Sequence, residues 1–128
     1  KKKDMQKRVS IINDAAPLCA ISIHLNSFER QRNRRGAQVF FDADSSGGRA
    51  LALDVQRELN AINNEYAKKS YSPLSADKYL FWNVKVPIVI VECGFLSNDE
   101  DEKNLQNFAY QHLIASAVAR GVNAFLSA

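Results

Sequence analysis

Ile88-Val89-Ile90-Val91 is an unbroken run of four β-branched residues, bounded by Pro87 before it and Gly94 soon after. Such a run predicts a short strand buried on both faces, as in a parallel sheet. It ends on a charge, Glu92, and the glycine that follows predicts a sharp turn that leaves this carboxylate at the carboxyl edge of the sheet. A second, mostly apolar run, Leu18 to Ile23, has the same construction: it ends at His24 and passes into Leu25-Asn26-Ser27. Open α/β sheets usually place their sites at that edge.

The remaining pattern supplies the other elements. Met5, Val9 and Ile12 recur at helical spacing between Lys1 and Asp14, with no capping residue ahead of the basic start, and predict a helix cut off at its beginning. Gln38 to Phe41 predicts a short strand, and the Asp42 to Gly48 segment supplies turn residues and several helix caps. Leu51, Val55, Leu59 and Ile62 mark an amphipathic helix from about 49 to 62. The polar stretch from Lys68 to Lys78, with Pro73 inside it, reads mostly as loop. Tyr79-Leu80-Phe81-Trp82 are sheet-favouring residues and predict a strand. Ser97-Asn98-Asp99-Glu100 fits a capping box at the head of a last helix running from about 99 to 125. Together these elements predict one α/β domain with a mostly parallel or mixed sheet flanked by helices.

A length of 128 residues fits a single domain that buries roughly two-thirds of its unfolded surface, without disulfide or metal staples. The net charge of +3 is mild, and much of the excess lies in Lys1 to Lys3 and in the loop carrying Arg30, Arg32, Arg34 and Arg35. Neither interleaved aromatics nor a nucleic-acid motif accompanies these charges, so a nucleic-acid partner is not indicated. Cys19 and Cys93 both fall in or beside predicted strands, where small apolar fillers are favoured over a disulfide. No apolar run approaches the roughly 20 residues of a membrane span.

These positions direct attention to two ionisable groups. If the two strands are parallel and adjacent, His24 and Glu92 meet at one sheet edge. The pair then fits a zinc ligand with a general base, or a base with its orienting partner. His112 lies mid-helix among polar neighbours and reads as a surface residue, and Asp42 and Asp44 read as turn residues and caps. The arginine loop reads either as a solvated segment or as a holder of substrate anions at the mouth of the site. A thiol nucleophile at Cys93 with a histidine base is a further reading, opposed by strand alternation, which points Cys93 away from the face of Glu92.

Ser22-Ile23-His24-Leu25-Asn26, then Gly36 to Phe41, then Val91-Glu92-Cys93-Gly94-Phe95-Leu96-Ser97-Asn98, resemble in order the motifs of the zinc-dependent N-acetylmuramoyl-L-alanine amidases of bacterial cell walls. The resemblance covers essentially the whole chain and implies hydrolysis of the amide joining the lactyl group of muramic acid to the first L-alanine of the stem peptide. It implies a zinc-ligand role for His24 and a catalytic role for Glu92. Asn26 would support the histidine or the site mouth, and the substrate-binding residues are not assigned. The family's glycine-rich histidine motif and its ligand glutamate have no counterpart here. Residues 1–128 therefore resemble the C-terminal two-thirds of a catalytic domain that lacks its first strand or strands.

One imidazole is too few for a zinc site. The expectation is that the 128 residues alone bind zinc poorly and are inactive, within a longer parent that is an amidase. A missing strand would also leave an open sheet edge or apolar patch, to be covered by a companion N-terminal segment or a protein partner. The subgroup resembled is that of the spore-cortex amidases, tied to sporulation and germination and acting outside the cytoplasm on peptidoglycan. The alternative is a non-catalytic wall-binding or regulatory module with the amidase fold.

Overall fold

The computed structural model describes residues 1–128. Helix α1 (Lys2–Ala15) leads into strand β1 (Ala20–Asn26), a single 3-10 turn (Glu29–Gln31) and strand β2 (Gln38–Phe41). Helix α2 (Ser46–Tyr66), the two-residue strand β3 (Leu74–Ser75), helix α3 (Tyr79–Asn83) and strand β4 (Ile88–Phe95) follow, and helices α4 (Asp99–Leu105) and α5 (Phe108–Ser127) close the chain. The strands form one sheet in the order β1-β4-β2-β3. β4 runs parallel to β1 and antiparallel to β2, so the sheet is mixed.

The sheet separates two apolar layers because successive strand residues face opposite ways. Val89, Val91 and Cys93 of β4 join Leu51, Val55 and Leu59 of α2 and Ile114 and Ala117 of α5 in the larger core. Ile88 and Ile90 pack on the other face with Leu80, Phe81 and Val84, covered by Met5, Val9 and Ile12 of α1. Leu51, Val55 and Leu59 recur every four residues and are fully buried; burial of each such side chain contributes about 1.5–3 kcal/mol. Gly121 is where α5 comes nearest to α2: a Cβ added there would lie 2.5 Å from Val55 Cα, closer than two backbones can approach with a side chain between them.

Buried amides of α2 complete the hydrogen bonding around the start of β2, which β3 does not reach. Gln56 Oε1 accepts from Val39 N (2.8 Å), and Asn63 Oδ1 accepts from Ala37 N (2.8 Å). These bonds fix α2 against β2, and β2 in turn flanks Glu92 through its partner Gln38.

Four local expectations are corrected. Residues 79–83 form helix α3 rather than a strand. Leu80 and Phe81 are consecutive yet both buried, while Trp82 is exposed, a pattern that strand alternation cannot give and one helical turn can. The last helix is two helices, because Asn107 caps a new one with its side chain accepting from Tyr110 N. Helix α4 is capped by Asn98, which accepts from Asp101 N, whereas Ser97 Oγ accepts from Phe28 N. Gly94 makes no sharp turn: β4 continues to Phe95, so Glu92 lies within the strand rather than beyond it.

β1 is an edge strand, and Ile23 and Leu25 are both more than half exposed on it. A groove of about 560 Å³ lies beside it, lined by residues including Ile21, Ile23, Leu25, Cys93 and Ile114. No helix is long and apolar enough to cross a membrane.

Candidate active site

His24 and Glu92 are register partners on the adjacent parallel strands β1 and β4. The phase of the two apolar runs produces this. Ala20, Ser22 and His24 stand opposite Ile88, Ile90 and Glu92, so both polar side chains emerge where their shared face passes from apolar packing to solvent. On the far side of β4, Gln38 of β2 is the register partner of Glu92, its side-chain amide donating to Gln56 Oε1 and Ser72 O. Ser22 Oγ lies 2.7 Å from His24 Nε2. Ser22, two residues before His24 on the same strand face, is a neighbour that strand periodicity makes available.

Glu92 is held above the ordinary carboxylate range chiefly by burial, an effect opposed by the nearby positive charges of His24 and Lys78. Its Oε2 is buried and has no hydrogen-bond partner in the chain. Lys78, the N-cap of α3, is a contributor that the reading of Lys68 to Lys78 as loop does not single out.

The donors present do not by themselves make a zinc site. No group of three or more His, Cys, Asp and Glu side chains is placed to hold a metal ion, whereas catalytic zinc takes three protein ligands and a water. Asn26 ends β1, where its side chain accepts from Ser27 N, and it makes no hydrogen bond to His24. His112 is exposed on α5, away from the pair.

Cys93 packs in the larger core on the opposite face. Burial, reinforced by the charge of Glu92, pushes its thiol up to about 11, which leaves almost no thiolate at neutral pH. This environment gives no support to a cysteine nucleophile.

The arginine loop is docked rather than free. Phe28 N donates to Ser97 Oγ, Asn98 Nδ2 donates to Arg32 O, and Gly36 N donates to Asp101 Oδ2. Arg32 pairs with Glu29 and Asp99, and Arg35 Nε lies 3.7 Å from Asp101 Oδ1. The loop therefore closes over the carboxyl ends of β1 and β4, just beyond the His24–Glu92 pair.

The sequence matches the family model described as N-acetylmuramoyl-L-alanine amidase over residues 1–124. The chain belongs to this family. It is 33% identical over 124 residues to a germination-specific N-acetylmuramoyl-L-alanine amidase of Bacillus subtilis, an alignment covering 95% of this chain and 50% of that protein. The CwlD amidase of Clostridioides difficile, solved in complex with the GerS lipoprotein, superposes with a TM-score of 0.87 at 34% identity, covering 98% of this chain and 63% of that one. A second amidase, from Clostridium difficile 630, shares the fold with a TM-score of 0.84 at 23% identity, covering 97% of this chain and 66% of its own. The chain thus spans about half the length of the Bacillus amidase and about two-thirds of the solved amidases.

Proposed function

We propose that this chain is the part of an amidase catalytic domain that carries its general base, and that the whole protein hydrolyses the amide between the lactyl group of N-acetylmuramic acid and L-alanine in peptidoglycan. The observation that carries this reading is the pairing of His24 with a desolvated Glu92 at one sheet edge, in a chain of the amidase family. The half-buried Glu92 carboxylate would take a proton from a water attacking the amide carbonyl, and then return it to the alanine nitrogen as that bond breaks. A carboxylate desolvated in this way is a stronger base than one in water, and its protonated form lies nearer the pH at which it must act as an acid.

His24 would be one zinc donor, with Ser22 Oγ as its near neighbour, and the remaining donors would come from outside these residues. The open edge of β1 is where we place the rest of the domain, which favours reading residues 1–128 as N-terminally truncated. The likeness to a germination-specific amidase supports a role in the cell envelope or spore cortex, outside the cytoplasm. The lipoprotein bound to the Clostridioides relative makes a protein partner part of the proposal.

Metal content tests the division of the site. The 128-residue chain, its intact mass verified, is expected to carry far less than one zinc per chain, and the full-length protein about one. His24→Ala should empty the full-length protein of most of its zinc. Muropeptide hydrolysis at a normal rate by the isolated 128 residues would contradict the proposal.

A further inference from the structure

Arg34 differs from Arg32 and Arg35 in how its charge is held. Those two pair with carboxylates. The Arg34 guanidinium instead lies over two aromatic rings, 5.6 Å from the centroid of Phe28 and 5.3 Å from that of Phe95. Its backbone is pinned on both sides: Arg32 O accepts from Asn98 Nδ2 at 2.9 Å, and Gly36 N donates to Asp101 Oδ2 at 2.8 Å. The result is a half-buried cation on an anchored backbone, with no ion pair to a carboxylate of the chain.

A β-bulge sets which side of the sheet this cation serves. His24 pairs with Glu92 but Asn26 pairs with Phe95, so β4 spends one more residue than β1 over this interval. Cys93 packs in the core beneath α5, and a Cβ on Gly94 would also point that way, 3.1 Å from Asp101 Oδ2 and 3.2 Å from Leu105 Cδ1. Two successive residues therefore face the same layer, and Phe95 is turned to the face that carries His24 and Glu92. Arg34, beside the Phe95 ring, stands on the reacting side of the sheet, about two strand residues or roughly 7 Å along from Glu92, because the bulge absorbs the third.

We infer that Arg34 is a specificity-determining residue that binds a free carboxylate of the stem peptide, about two or three residues from the amide under attack; this rests on the amidase reading above. An extended peptide advances about 3.3–3.6 Å per residue, so such a carboxylate reaches Arg34 when the amide lies at Glu92. A guanidinium held near aromatic rings rather than carboxylates keeps its N–H donors available for a bidentate carboxylate. Because the loop is already ordered, little freedom is lost when the ligand binds.

Calorimetry with two synthetic muramoyl tripeptides, one ending in a free carboxylate and one in a carboxamide, tests this in the full-length protein carrying Glu92→Gln, so that ligand is not consumed. The free acid is expected to bind on the order of tenfold tighter. Adding Arg34→Gln should abolish that preference while leaving the carboxamide's affinity within about twofold, and Arg34→Lys should restore part of it. No preference before the Arg34 substitution, a preference that survives it, an equal weakening of both ligands, or binding of neither overturns the assignment. Hydrolysis by protein retaining Glu92 is followed separately: its absence would contradict the amidase reading, while the acid-to-amide ratio alone judges Arg34.

Discussion

Replacing Glu92 by glutamine is expected to lower muropeptide hydrolysis by the full-length protein by about a hundredfold or more, the scale at which a positioned proton acceptor contributes. Glutamine keeps the shape of the side chain and its place between His24 and Gln38, but it cannot carry a proton from water to the leaving nitrogen. Stability should move little, or rise. Burial raises this carboxyl in the folded state, so its ionisation disfavours folding at pH values above its unfolded range and not below it. At neutral pH the substitution removes that cost. Zinc content should be unchanged, which separates loss of the base from loss of the metal. Retention of most of the activity by Glu92→Gln would exclude Glu92 as the proton carrier.

The largest expected loss of stability is at Asp101. Its Oδ2 accepts from Gly36 N at 2.8 Å and from Phe95 N at 2.9 Å, and its Oδ1 faces Arg35 Nε. The Asp101 side chain is only 3% exposed. Asp101→Ala therefore leaves two buried N–H groups without an acceptor and a largely buried guanidinium without its counter-charge, with a cost of about 3–5 kcal/mol. It also unties the arginine loop from the end of β4, so activity should fall with stability. Urea unfolding of wild type and variant measures this directly. A change below about 1 kcal/mol would mean that water replaces the carboxylate and that the clamp is not what orders the loop.

The meeting of His24 and Glu92 was readable from sequence because it depends on strand phase, and phase is written locally. Each apolar run fixes which residues share a face, and both runs end on an ionisable group in the same phase. Helix α2 was readable for a similar reason, since Leu51, Val55 and Leu59 need only helical periodicity. Residues 79–82 misled because the intrinsic preference of aromatics for strands was outweighed by tertiary packing, which buries Leu80 and Phe81 together over Ile88 and Ile90. The break between α4 and α5 carries neither proline nor glycine; its signal is the Asn107 cap, which is easily passed over inside an apolar repeat.

Other features are encoded over long separations. Asp101 meets Gly36 across 65 positions, and Ser97 meets Phe28 across 69. No periodicity reports such contacts, so the docking of the arginine loop, and the separate setting of Arg34, emerge only from the folded chain. The bulge at Cys93-Gly94 belongs with them. The glycine was visible in sequence, but its use inside the strand, close against Asp101 and Leu105, was not.

The most direct measurement is of the products formed when the full-length protein acts on purified muropeptides. The expected products are stem peptides with a free N-terminal L-alanine amine, together with muramic acid bearing a free lactyl carboxylate, each identified by mass. Intact muropeptides after prolonged incubation, or cleavage only at glycosidic or peptide bonds, would contradict it.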